Sequence, residues 1–231
     1  TARGLTTGIV TMQPETMLNY HTHACAESIT VLEGEAEIAV EGRTYRLGPL
    51  DNITIPRWLP HQSRNPDTRK PVRMHTALAM SVPEHEPVPR SFDRIEMPLD
   101  STGAPGFERV TRFTSADRLQ GVGPGAEFID YFNASLMPGI EMSGGFARFD
   151  PGGRLPDHLH DFDESICIIR GDTNCLVEGR QYSLNDYATA MVPRGRVHYF
   201  INESEHRMDM IWVYAGPMPE RIVIAPGFVR E

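Results

Sequence analysis

The chain has 231 residues, a mass of 25.9 kDa, a formal net charge of −9 and a pI near 5.5. With 40% hydrophobic and 8% aromatic residues it is globular in composition and long enough to bury a core without disulfides. Lysine and arginine form no run, which argues against nucleic acid as a partner, and no apolar stretch approaches the roughly 20 residues of a membrane-spanning helix.

No apolar signal-like core stands at the N-terminus, and Cys25, Cys167 and Cys175 form no CxxC pair. The expectation is a cytoplasmic protein with reduced thiols. The 19 prolines and 20 glycines imply many turns and hence short strands. In chain order, β-rich runs fall at 28–32, 36–40, 44–47 and 53–55, separated by Glu-Gly, Gly-Pro and Pro signals. Residues 81–106 follow, with Pro83, Pro87, Pro89, Pro98 and Pro105 and little periodicity, as expected of an extended linker or a strap across a domain surface. The run 115–119 could form one helical turn. Strand-like runs then resume at 166–169, 174–177, 181–184 and 190–192. The whole reads as an all-β sandwich or barrel architecture.

The two series are copies. Shifted by 137 residues, 12–65 aligns on 149–202 without a gap, and 18 of the 54 positions are identical. Val40-Glu41-Gly42-Arg43 falls on Val177-Glu178-Gly179-Arg180, and Pro56-Arg57 on Pro193-Arg194. One unbroken offset over that span implies a duplicated domain. We expect an N-terminal domain at 1–100 and a C-terminal domain at 101–231.

The repeat also carries the chemistry. His21, His23, Glu27 and His61 fall on His158, His160, Glu164 and His198, so six of the nine histidines belong to these quartets. Residues 21, 23 and 27 share parity, and on a single strand they would project to one face. An antiparallel neighbour can return His61 beside them. A lone HxH pair is more often ordinary surface or core histidine; two complete quartets at one offset point to metal ligands. Three imidazoles and a carboxylate suit one divalent ion per domain (Mn, Fe(II), Ni or Zn) and leave open positions for substrate.

These residues resemble the cupin motifs. HxHxxxE with Gly34 or Gly171 after six intervening residues is similar to the first motif, and Pro193-Arg194-Gly195-Arg196-Val197-His198 with Asn202 to the second, PxGxxHxxxN. The resemblance spans both halves. It implies two tandem double-stranded β-helix (jelly-roll) barrels with a metal inside each. The first copy departs at Trp58, where the motif and the second copy have glycine, which puts its turn geometry in question.

Several other residues are candidates. Cys25 lies between ligands and reads as a small buried filler more readily than as a metal contact. Asp157, Asp161 and Asp163 could orient imidazoles or be solvated loop acids. Tyr45 and Tyr182, like Arg43 and Arg180, recur as turn chemistry. Arg148, Arg154, Tyr199, Phe200, Trp212 and Tyr214 are possible pocket liners.

Family membership alone leaves the reaction open. A metal-dependent dioxygenase acting on a small polar or aromatic molecule is slightly preferred. The alternatives are a non-redox hydrolase, lyase or isomerase, resembling ureidoglycine aminohydrolase or an isomerase of prephenate-derived acids, and a non-catalytic binding protein. Oxalate decarboxylases carry an arginine three residues before HxH, where this chain has Leu18 and Leu155. The partner implied is a small-molecule substrate, and the resemblance suggests a homodimer.

Overall fold

The computed structural model describes residues 3–113 and 119–224. Its contacts divide the chain into two compact units, Leu5–Asp117, and Arg118–Glu231 with Thr1–Gly4. Both are built of strands, and the described residues hold no α-helix. The helical turn expected at 115–119 falls, apart from Leu119, outside the described residues. No helix of the described residues is long and apolar enough to cross a membrane.

The first unit opens with β1 (Thr6–Met12), β2 (Met17–Thr22), β3 (Glu27–Glu33), β4 (Ala36–Val40), β5 (Arg43–Leu47) and β6 (Asn52–Ile55). It continues with β7 (His61–Arg64), β8 (Val72–Leu78), β9 (Glu86–Pro87), β10 (Ile95–Glu96) and β11 (Arg109–Thr111). They form two sheets, in the orders β1-β8-β3-β6-β11 and β10-β5-β4-β7-β2-β9. Alternation explains the core: Ile29, Val31, Ile38, Val40, Ile53 and Met74 turn inward from both sheets and are buried together. Each such side chain contributes roughly 1.5–3 kcal/mol on burial.

The second unit opens with β12 (Gln120–Gly123), β13 (Ala126–Phe132), β14 (Ser143–Phe149), β15 (His158–Leu159), β16 (Glu164–Arg170) and β17 (Thr173–Val177). It closes with β18 (Arg180–Leu184), β19 (Thr189–Val192), β20 (His198–Ile201), β21 (Met208–Tyr214) and β22 (Ile222–Val223). Its sheets run β12-β13-β14-β21-β16-β19 and β18-β17-β20-β15-β22. The orders superimpose on the first unit, β14 taking the place of β1, β21 of β8, and β22 of β9. The β12-β13 hairpin belongs to the second unit alone, β10 and β11 to the first.

The repeated Glu-Gly pairs make tight hairpins. Val40 pairs with Arg43 and Val177 with Arg180, leaving two-residue turns with φ of 47° and 93° at Glu41 and Gly42, and 50° and 74° at Glu178 and Gly179. Positive φ at both central positions is the type I′ turn that matches strand twist.

The proline-rich stretch is a strap. β9 pairs with β2 and β10 with β5, so the chain beyond residue 80 is stitched to its own barrel. Beyond it, β11 pairs with β6, and Glu108 inserts a fully buried carboxylate beneath β5. Arg43 donates to Glu108 from Nε at 2.8 Å and Nη2 at 2.9 Å, and the Tyr45 hydroxyl donates to it as well. Tyr45 is therefore buried, whereas its counterpart Tyr182 is exposed. The repeated Arg-Tyr pair is more than turn chemistry in the first unit.

Candidate metal centres

The chain brings each quartet together by pairing β2 with β7 and β15 with β20. His21 lies opposite His61, and His158 opposite His198. The carboxylate arrives differently from the single-strand expectation. Between residues 23 and 26 the chain crosses from one sheet to the other, so Glu27 begins β3 and Glu164 begins β16 on the facing sheet. Shared parity on one strand is therefore not what aligns the HxH pair with its glutamate. In each barrel one donor atom from every residue lies within 4.8 Å of the others, and all eight residues are buried.

Hydrogen bonding fixes how each ring faces. His21 Nδ1 meets the carbonyl of Asn19 at 2.8 Å, His23 Nδ1 that of Glu84 at 2.5 Å, and His61 Nδ1 that of Leu59 at 2.8 Å. In the second barrel the carbonyls of Pro156, Phe162 and Arg196 hold His158, His160 and His198 in the same way, at 2.8, 3.1 and 2.9 Å. A carbonyl only accepts, so each Nδ1 carries a proton, and in the neutral ring each Nε2 carries a lone pair. Asp157, Asp161 and Asp163 do not orient these rings. Asp163 accepts instead from the backbone N–H of Arg194 at 2.9 Å and of Arg3 at 2.7 Å, while Asp157 pairs with Arg154.

The Nε2 atoms then converge on carboxylate oxygen. His61 Nε2 lies 2.8 Å and His23 Nε2 3.3 Å from Glu27 Oε2; His198 and His160 lie 2.8 and 3.1 Å from Glu164 Oε2. Lone pairs facing a carboxylate at this range repel unless a proton or a cation stands between them. The buried Nε2 atoms of His23 and His158 have no hydrogen-bond partner. One proton can bridge one contact; a divalent cation satisfies all four donors together. The donor set therefore fits such an ion.

Burial would lower His23 and His198, but contact with Glu27 and Glu164 outweighs it and raises both. Burial, and then the neighbouring His61, push His21 down to about 4; burial and His198 do the same to His158. Burial alone would raise Glu27, but His23 and His61 outweigh it and hold the carboxyl at about 2. His160 and His198 likewise hold Glu164 well below the usual range. At neutral pH the carboxylates are charged and His21 and His158 are neutral, the forms that bind metal.

The model of the cupin domain matches twice, at residues 8–80 and 145–214. The chain belongs to the cupin family. Its two jelly-roll barrels make it a bicupin, and solved structures share the fold. Salicylate 1,2-dioxygenase from Pseudaminobacter salicylatoxidans superimposes with a TM-score of 0.76 at 20% identity, over 94% of this chain and 72% of that one. Oxalate decarboxylase from Lactobacillus farciminis gives 0.74 at 14%, over 96% and 80%. The oxalate decarboxylase of Bacillus subtilis gives 0.74 at 14%, over 96% and 71%. No curated protein sequence matches. At these identities the neighbours establish the fold, not the reaction.

Around identical donors the two barrels of this bicupin differ. In the second, His160 stacks on Phe162 at 5.2 Å and lies 4.6 Å from Tyr214, and Trp212 and Phe128 extend the aromatic wall. The corresponding positions in the first are Cys25 for Phe162 and, by strand register, Leu78 for Tyr214 and Thr76 for Trp212. Cys25 is buried, as expected of a filler. Of the expected liners, Tyr214, Phe200 and Trp212 all belong to the buried core cluster of this barrel, Tyr214 lying 4.6 Å from the His160 ring and Phe200 6.0 Å from that of His198. Arg148 is instead bound to Asp209, and Arg154 covers Tyr199. Trp58 leaves the turn intact: it takes φ of 64° where Gly195 has 72°, and both donate to the HxH carbonyl, of His23 or His160, at 2.8 Å. Its side chain is exposed and belongs to no core. The motif asparagines anchor strand ends, Asn65 donating to the carbonyls of Met12 and Lys70 and Asn202 to those of Phe149, Asp150 and His206.

Proposed function

We propose that this bicupin is a metal-dependent enzyme of the dioxygenase type, acting on a small polar or aromatic molecule, with His21, His23, Glu27 and His61 holding one divalent ion and His158, His160, Glu164 and His198 the other. The second barrel is the reactive one in this reading. The observation that carries it is the aromatic cluster that begins with Phe162 and Tyr214 against His160 and continues through Trp212 and Phe128 into the core of the second barrel, an apolar aromatic surrounding that the first quartet lacks. A fold neighbour named salicylate 1,2-dioxygenase is in keeping with it. The four protein donors would hold an ion that, when bound, would supply Lewis-acid or, if redox-active, oxygen chemistry. The protein supplies fixed imidazole tautomers, a buried carboxylate and apolar walls that exclude water. Leu18 and Leu155 keep oxalate decarboxylation unfavoured, since neither can hold a carboxylate.

The deciding experiment is plasma mass spectrometry on wild type, His23→Ala and His160→Ala, followed by oxygen uptake of the iron-loaded proteins with salicylate and gentisate. We expect two equivalents in wild type, one lost in each variant, and oxygen uptake abolished by His160→Ala but not by His23→Ala. Turnover under nitrogen would replace the dioxygenase reading by a hydrolase, lyase or isomerase. Less than a tenth of an equivalent of metal after reconstitution would end the metalloenzyme reading.

A further inference from the structure

Each barrel is crossed by a short strap strand that pairs with the HxH strand. On the first, Pro87 lies opposite His21 and Glu86 opposite Thr22; on the second, Val223 lies opposite His158 and Ile222 opposite Leu159. Continuing each register by one residue sets His85 opposite His23 and Arg221 opposite His160. Directly opposed residues of an antiparallel pair share a face. The two straps thus present different side chains to the same donor set: an imidazole, whose ring lies 5.5 Å from that of His21, and a guanidinium.

Arg221 is placed to act on a ligand. Its Cζ lies over the Phe128 ring at 4.7 Å, at the far end of the aromatic wall that starts at His160. It is half-buried, and among the described residues no carboxylate reaches it within ion-pair distance. Its charge is felt by His158, His198 and Tyr214, within electrostatic range of the second quartet, and also by Asp130, whose carboxylate accepts from the Asn133 side chain. Beside the same wall the indole N–H of Trp212 is buried without an acceptor. A half-buried guanidinium in no ion pair among the described residues, an indole N–H without an acceptor and the aromatic cluster between them are the elements that recognise a planar acid.

We propose that Arg221 receives the carboxylate of a small, flat organic acid bound at the second metal site, and that the first site, which carries His85 in that place, does not bind such acids. This rests on the reading of both quartets as metal sites and names the substrate class of the second. It places the anion-binding arginine on the strap, far in sequence from the position three residues before HxH.

The test is calorimetric titration of the zinc-loaded protein with sodium benzoate and with benzamide, its uncharged counterpart, with zinc content measured on every sample. Wild type should bind one benzoate per chain, at least tenfold more tightly than benzamide. Arg221→Gln should keep two zinc ions and lose that preference, Arg221→Lys should retain part of it, and Arg180→Gln, a cation elsewhere on the same barrel, should leave it unchanged. If Arg221→Gln holds two zinc ions and binds benzoate as wild type does, the role of Arg221 is overturned and the metal reading stands. If wild type holds two zinc ions and ignores benzoate, the acid class is overturned. A wild type that binds no zinc overturns both readings.

Discussion

At the scale of the residue, backbone carbonyls orient the imidazoles, a role that was one of two readings of Asp157, Asp161 and Asp163. Six Nδ1 atoms are held by six main-chain oxygens, which carry no residue identity, so no sequence motif could have shown them. The donors themselves were legible, because duplication at one offset separated them from ordinary histidines. Phe162, His85 and Arg221 were not, since their place depends on strand register and on a strap whose path is not written in local pattern. Two residue-scale predictions follow from strain and from burial. Trp58 holds a left-handed conformation that glycine adopts freely and its side chain packs in no core; Trp58→Gly should raise the stability by about 1 kcal/mol in urea unfolding. His75 is buried, its Nε2 has no partner, and burial pushes it down to about 4. Because the folded value lies below the unfolded one, its stabilising contribution is complete above about pH 6.5 and is lost as pH falls toward 4. In chelated protein, His75→Gln should therefore flatten the decline of Tm between pH 6.5 and 4 relative to wild type.

At the scale of the element, equal sequences meet unequal surroundings. The Glu-Gly hairpins were legible as turns, and both are type I′. Yet a Cβ on Gly42 would stand 2.1 Å from the carbonyl oxygen of Asp93, whereas one on Gly179 meets nothing within 4 Å. The strap carrying β10 presses on the first turn, where the Ile95 N–H donates to the Gly42 carbonyl at 2.9 Å. Gly179→Ala should cost about 1 kcal/mol, the conformational term alone. Gly42→Ala should cost about 3 kcal/mol, because β10 must also move. Parallel urea titrations of the two variants read the difference directly. The sequence suggested a strap at 81–106 but could not show that it adds strands to the barrel. Glu108 extends the same lesson: Glu108→Ala strips the half-buried Arg43 and the buried Tyr45 of their shared acceptor and should cost about 2 kcal/mol.

At the scale of the whole molecule, the duplication and the all-β class were plain in the sequence, since a repeat of short strands closed by paired turns admits few other architectures. The extra elements that distinguish the units, β10 and β11 in one and the β12-β13 hairpin in the other, lie outside the aligned block and left no repeated signal. Metal should matter to the stability of the whole chain, because each ion relieves a buried cluster of lone pairs around a carboxylate. Dialysis against a chelator should lower the Tm, and readdition of metal should restore it in proportion to the equivalents regained.

Identical donors under unlike straps have a practical consequence. Each half of the chain is an internal control for the other. A reagent or condition that acts on the quartet as such will alter both halves alike, in one tube and on one polypeptide. A response confined to one half therefore reports its surroundings, the aromatic wall and Arg221 on one side or Cys25 and His85 on the other, rather than the ligands they share.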